Sequence, residues 1–213
     1  MPPGYVCNGC NNYFGRSVEE PVLRQELGML RSLMGLPTKA RAPARLAGRG
    51  FTIESKIAAG GHRTVNICLS PNDPTSELTW SDLPDNRFAI TRTISNYDSA
   101  VTSAFLSKII VELVRMFVHC RIVSGSDIGG WDVERHRINA RYRQKPGDPY
   151  VVCPYTPARE LDITFGSSPI FGGHPAVTLN LHRRFFYAPL TDQGLKVAMT
   201  LEPRPPFTRW PHA

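Results

Sequence analysis

The stretch that most limits the fold is residues 95–121, SNYDSAVTSAFLSKIIVELVRMFVHCR. Val101, Phe105, Ile109, Leu113 and Phe117 recur every four positions, flanked by Ala104, Leu106, Ile110 and Val114. That spacing predicts a long α-helix with a broad apolar face. Ser95 and Asp98 suit its N-terminus, and Arg115, His119 and Arg121 suit the negative potential at its C-terminus. So wide a face has to be covered, so the segment is expected to be the main core helix, packed against a sheet. It is not a membrane span. The most apolar run, residues 109–118, is interrupted by Glu112 and Arg115 and falls well short of the ~20 apolar residues a bilayer requires.

On both sides the apolar period drops to two, the mark of half-buried strands. Upstream, Phe51, Ile53, Ser55 and Ile57 alternate with polar positions, as do Val65, Ile67 and Leu69. A Pro/Asp/Ser-rich loop is expected between Leu69 and Phe88, pinned to the body by Trp80. Downstream, Leu161, Ile163 and Phe165 alternate, then Val177, Leu179 and Leu181, then Leu195, Val197, Met199 and Leu201. Gly/Pro turns separate these strands. The fold class expected is α+β: an antiparallel sheet packed on one long central helix.

Residues 1–16 are expected to form a flexible N-terminal tail, since no apolar period runs through them. Residues 17–36 read as an N-terminal amphipathic helix: Ser17 and Glu20 have capping-box spacing, Pro21 falls in the first turn, and Val22, Leu23, Leu27, Leu30, Leu33 and Met34 recur at helical intervals. Such a helix either packs on the body or meets a membrane or partner. The chain is thus divided into residues 1–50 (tail, helix, basic linker), a globular α+β body over 51–203, and a Pro-rich tail over 204–213.

The net charge is +7, and the first 50 residues carry seven Lys/Arg against three Asp/Glu. A basic balance favours anionic partners, whether nucleic acid or acidic lipid. Two segments concentrate it. In the linker 37–50, PTKARAPARLAGRG, the cations Lys39, Arg41, Arg45 and Arg49 face no acidic residue. In ERHRINARYRQK, read as a strand, Arg135, Arg137, Asn139, Arg141 and Arg143 share one face and His136, Ile138, Ala140 and Tyr142 the other. That basic stripe suits phosphate oxygens or lipid headgroups.

Chemistry-bearing constellations are missing from the sequence: no phosphate-cradling Gly loop with Lys and Ser/Thr, no HExxH and no Gly-x-Ser-x-Gly. No catalytic residue and no cofactor is assigned, and the expectation is a protein that is not an enzyme. The five cysteines are an odd, scattered set, read as reduced thiols in a cytosolic setting without a secretory signal. Cys7 and Cys10 could supply half of a zinc site, but no second pair stands out, so no metal site is assigned.

The first residues, MPPGY, contain Pro2, Pro3 and Tyr5 in Pro-Pro-x-Tyr spacing, a polyproline II element read by aromatic grooves such as WW domains. Residues 172–203, GGHPAVTLNLHRRFFYAPLTDQGLKVAMTLEP, run from a Gly/Pro-rich segment through the Arg183–Arg184 step to a final alternating segment. Together with the basic linker and the α+β body, these features resemble the matrix proteins of rhabdoviruses. The resemblance implies a late-domain motif at Pro2, Pro3 and Tyr5 that recruits a host WW-domain ubiquitin ligase for budding. It also implies residence in the virion, the host cytoplasm and the inner face of host membranes. The function expected is a non-enzymatic viral structural protein that self-associates into a homo-oligomer. It would bind anionic membrane lipids and viral nucleocapsid or RNA, and support virion assembly and budding. Two alternatives stay open: an RNA-packaging coat or capsid protein of a small RNA virus with a β-sandwich core, and a cytosolic PPxY-bearing adaptor.

Overall fold

The protein is a mixed α+β chain, seen in a computed structural model that describes residues 7–25, 27–36, 42–57, 60–70, 75–85, 87–93, 98–121, 128–142, 148–153, 162–181, 184–202 and 208–210. It divides into two compact units, Met1–Glu19 with Asp98–Ala213, and Glu20–Tyr97. Pro2, Pro3, Tyr5, Lys39, Arg41 and Arg143 lie outside the described residues.

Helix begins earlier than the sequence suggests. α1 (Asn8–Phe14) starts inside the stretch read as tail, with Cys7 as its N-cap. A π-helical turn over Gly15–Glu19 follows, then α2 (Glu20–Gln25). Ser17 and Glu20 are therefore interior to a helical run rather than its start. The wide turn has a cause in Pro21, whose ring lacks an N–H and crowds the carbonyl four residues back. Val18 and Val22 are both buried, as an amphipathic helix requires.

In the unit Glu20–Tyr97, α3 (Gly28–Leu33) packs on a three-stranded antiparallel sheet ordered β1 (Arg45–Gly48), β2 (Phe51–Ile57), β3 (Arg63–Leu69). Ile53 pairs with Leu46 on one side and Ile67 on the other. Leu46, Phe51 and Ile53 bury together with Leu78, closed over by Met29, Leu33, Ile67 and Ile90. Gly35 ends the α3 segment at φ 61, where a Cβ would stand 2.3 Å from Ser55 Oγ, so only glycine fits. Part of the segment read as a linker is thus β1, and part of the long loop is a hairpin of β4 (Leu78–Leu83) and β5 (Arg87–Arg92). Trp80 does not pin a loop to the body; it is 46% exposed and stacks on Phe88 with ring centroids 4.2 Å apart.

In the other unit the long helix is α4 (Ser99–His119), 21 residues, capped by the Asp98 carboxylate on the Ala100 N–H. Its buried positions mix apolar Val101, Ala104, Leu106, Ile110 and Val114 with polar Thr102, Ser103 and Ser107. Phe105, Ile109, Leu113 and Phe117, the row that dominates the sequence pattern, are half-buried. α4 packs on α5 (Val133–Tyr142), the segment read as a basic strand. Asp132 caps α5 by accepting from the Arg135 N–H at 2.9 Å.

The five-stranded antiparallel sheet of this unit runs β10 (Thr208–Trp210), β6 (Tyr150–Cys153), β9 (Arg184–Pro189), β8 (His174–Leu181), β7 (Asp162–Ser168). Three residues of the expected Pro-rich tail thus form its edge strand. One face covers Phe171, Ala176, Val151 and Ala198. Phe165, on β7, meets Phe117 of α4 edge-on at 5.3 Å. The segment Leu195–Leu201, read as a strand, is mostly helix: α6 (Asp192–Thr200), capped by Thr191 Oγ1 on the Gly194 N–H. Gly194 and Ala198 form its buried face, small because a Cβ at 194 would already press on Pro189 and His174 at 3.2 and 3.3 Å.

Candidate anion-binding cleft

The α4–α5 contact is fixed by a buried polar network. His136 is 1% exposed; its Nε2–H donates to the Pro189 carbonyl at 3.0 Å, and Nδ1 accepts from Ser107 Oγ, also at 3.0 Å. Asn139 Nδ2 donates to Ser103 Oγ and Ser107 Oγ at 2.9 and 2.8 Å. Ser103 Oγ donates to the Asp148 carbonyl at 2.8 Å. Burial first, and then the neighbouring Arg135 guanidinium, push the His136 imidazole down to about 3. The ring is therefore neutral at pH 7, and the 3.8 Å approach of Asp148 to it is no ion pair. Burial raises the Asp148 carboxyl, although Arg135 pulls it the other way.

This network decides the fate of Arg135. Its side chain is 15% exposed and engages Asp132, Asp148 and the Pro189 carbonyl. Its charge is compensated within the fold. On a helix, moreover, Arg135, Arg137, Asn139 and Arg141 cannot share one face. Asn139 is buried, and among the described arginines of this segment Arg137 and Arg141, four apart, are the exposed ones. The expected basic strand face is corrected to this shorter helical pair.

Arg137 and Arg141 line a cleft of about 150 Å³ together with Lys108, Glu112 and Arg115 of α4 and Cys7, Cys10 and Phe14 of the N-terminal segment. Val111 and Ala140 supply its apolar wall. Lys108 and Arg115 were not singled out in the sequence as binding residues. The spacing Lys108–Glu112–Arg115 along α4 puts them on one side of the helix.

The four cations are not equivalent. Lys108 is held by Glu19 at 2.9 Å and Glu112 at 2.6 Å, with its ammonium over the Phe14 ring at 5.5 Å. Burial disfavours its charge, but the two carboxylates more than offset this and raise its pKa. Arg137 is exposed and paired with Glu134, which lowers the carboxyl and raises the guanidinium. Arg115 and Arg141 are exposed and have no ion pair among the described residues. Lys108 is thus structural, while Arg115, Arg137 and Arg141 present charge to solvent.

Arg45 is exposed on β1 and Arg49 in the turn after it, both in the unit Glu20–Tyr97. That unit also exposes Leu83, Phe88 and Trp80 at 45%, 51% and 46%, and Ile57 at 67%. The Trp80 indole N–H donates to Asp82 Oδ1 at 3.0 Å, so the pair joins a large apolar surface to a satisfied polar edge.

Among the described residues no group of three or more His, Cys, Asp or Glu could hold a metal ion, and no helix is long and apolar enough to cross a membrane. Comparisons with protein-family models, with curated proteins and with solved structures find no match for this chain.

Proposed function

We propose that the chain is a non-enzymatic viral structural protein of the kind found in rhabdovirus matrix layers, with an α+β body whose antiparallel sheet backs onto one long helix. It self-associates, holds to the anionic inner face of host membranes, meets nucleocapsid, and supports assembly and budding. The observation that carries the reading is the exposed trio Arg115, Arg137 and Arg141 around one cleft. Each cation near an anionic leaflet contributes about 1 kcal/mol. Many weak attachments become firm when copies act together. The exposed Trp80–Phe88 stack supports the same reading, since tryptophan favours the membrane–water boundary.

Charge reversal tests this directly. Changing Arg115, Arg137 and Arg141 to Glu is expected to weaken partition onto acidic vesicles by roughly 100-fold or more, measured by flotation. The circular dichroism spectrum should not change, because none of the three is buried. Unaltered flotation removes the cleft from the function. If wild-type protein ignores vesicles but binds RNA tightly with a steep salt dependence, the same arginines serve genome packaging instead. Separately, Tyr5→Ala is expected to abolish binding to a WW domain in a pull-down. Undiminished binding would exclude the Pro-Pro-x-Tyr segment as the docking element.

A further inference from the structure

The cleft contains chemistry that anion binding does not use. Cys7 and Cys10 both line it. Cys7 Sγ accepts from the Cys10 N–H at 3.2 Å, and the two thiols also share a hydrogen bond. Cys7 is exposed and Cys10 half-exposed, so small reagents can reach both. We propose that Cys7 and Cys10 form a redox-active dithiol that exchanges with small disulfides bearing carboxylates, of the oxidised-glutathione class.

Three features support this. The residues are three apart across one helical turn, close enough for a disulfide to close with little backbone movement. Their environments divide the labour. The Cys10 N–H, then the Cys10 thiol, lower the Cys7 pKa, with Arg141 adding to the effect, while the thiol of Cys10 is itself raised by its hydrogen bond to Cys7. Cys7 is therefore the attacking sulfur and Cys10 the resolving one. Finally, Arg115, Arg137 and Arg141 line the same cleft as the thiols, offering positive charge to the carboxylates of an incoming disulfide, beside the apolar wall of Val111 and Ala140.

The exchange has two steps. The Cys7 thiolate attacks one sulfur of the disulfide R–S–S–R, forming Cys7–S–S–R and expelling a thiolate that takes up the proton Cys7 released. Cys10 then gives its proton to solvent and attacks the Cys7 sulfur, closing the Cys7–Cys10 bond and expelling the second thiolate, which is protonated in turn. Two cysteine thiols are oxidised to one disulfide, and one disulfide is reduced to two thiols. Excess reduced thiol reverses both steps.

The test uses the full chain in oxidised glutathione at neutral pH, with acid quench, alkylation and mass spectrometry. Wild type is expected to close the internal disulfide. Cys10→Ser is expected to stop at a mixed disulfide on Cys7, formed about tenfold faster than on Cys68 or Cys120, which are also exposed and serve as internal references. Arg141→Glu should slow the reaction with oxidised glutathione several-fold more than that with neutral hydroxyethyl disulfide, which it affects only through the Cys7 thiolate. Modification of Cys7 no faster than of Cys68 and Cys120 would overturn the proposal. So would a wild-type chain that keeps the mixed disulfide at Cys7 as Cys10→Ser does. An equal effect of Arg141→Glu on both disulfides would overturn the preference for carboxylates.

Discussion

Lowering the pH from 6.5 towards 3 is expected to remove up to about 5 kcal/mol of folding stability through one residue, His136. Its imidazole titrates at the ordinary value of 6.5 in the unfolded chain and at about 3 in the fold. Between those values the unfolded state binds the extra proton, so stability is complete above pH 6.5 and drains away as the pH falls to about 3. Asp148 acts with the opposite sign. Burial raises its carboxyl above the ordinary 3.8, so it favours the fold below that value and withdraws that support as the pH rises through its raised pKa. A variant separates the two. His136→Gln keeps a hydrogen-bonding side chain and removes the titration. Urea unfolding across this range should show wild type weakening steeply with acid and His136→Gln weakening much less. Parallel curves for the two proteins would contradict a neutral, buried His136.

The second large effect is expected at Phe186. It is 1% exposed on β9, paired with Leu179 of β8 and Val152 of β6, with the Tyr150 ring 6.4 Å away. It stands on an interior strand between two neighbours, so truncation leaves a hole that the sheet cannot close. Phe186→Ala should cost about 3–5 kcal/mol, a large share of the 5–15 kcal/mol typical of a whole domain. The matched control is Phe88→Ala on the exposed hairpin, expected to cost no more than about 1.5 kcal/mol, the worth of its stack on Trp80. Comparable losses at the two sites would show that the core has been placed wrongly.

His136 illustrates what the sequence could not reveal. Strands β2, β7 and β8 and helix α4 were legible because buried or half-buried apolar residues keep a clean period in them, as Phe51 and Ile53 do in β2 and Phe105 and Ile109 in α4. The two misread helices, α5 and α6, share one cause: burial by residues that do not look buried. In α5 the inward positions are His136, Asn139 and Ala140, and arginines alternate around them by coincidence, so a period of two masked a helix. In α6 the inward positions are Gly194 and Ala198, too small to register, while the alternating Met199 is 61% exposed. A cap-based reading would have helped. Asp132 and Thr191 each sit three residues before the N–H they accept from.

The candidate site was legible in part. Arg137 and Arg141 were chosen for their charge, and they do reach the surface. Arg135 was chosen on the same grounds and proves structural, because Asp132 and Asp148 come to it only through the fold. Lys108 and Arg115 were hidden inside the most apolar helix, where they registered as interruptions. Cys7 and Cys10 were noted only for metal; their place beside the cations follows from α1 starting where a tail was expected.

The central claim is that exposed arginines around one cleft attach this chain to anionic surfaces. The most direct measurement is flotation of the wild-type chain with acidic and with neutral vesicles over a series of salt concentrations. The prediction is that the protein rises with acidic vesicles at low ionic strength, is released as salt screens the charges, and stays behind with neutral ones. Protein that fails to rise with acidic vesicles at low ionic strength, or that rises equally with both lipids, would contradict it.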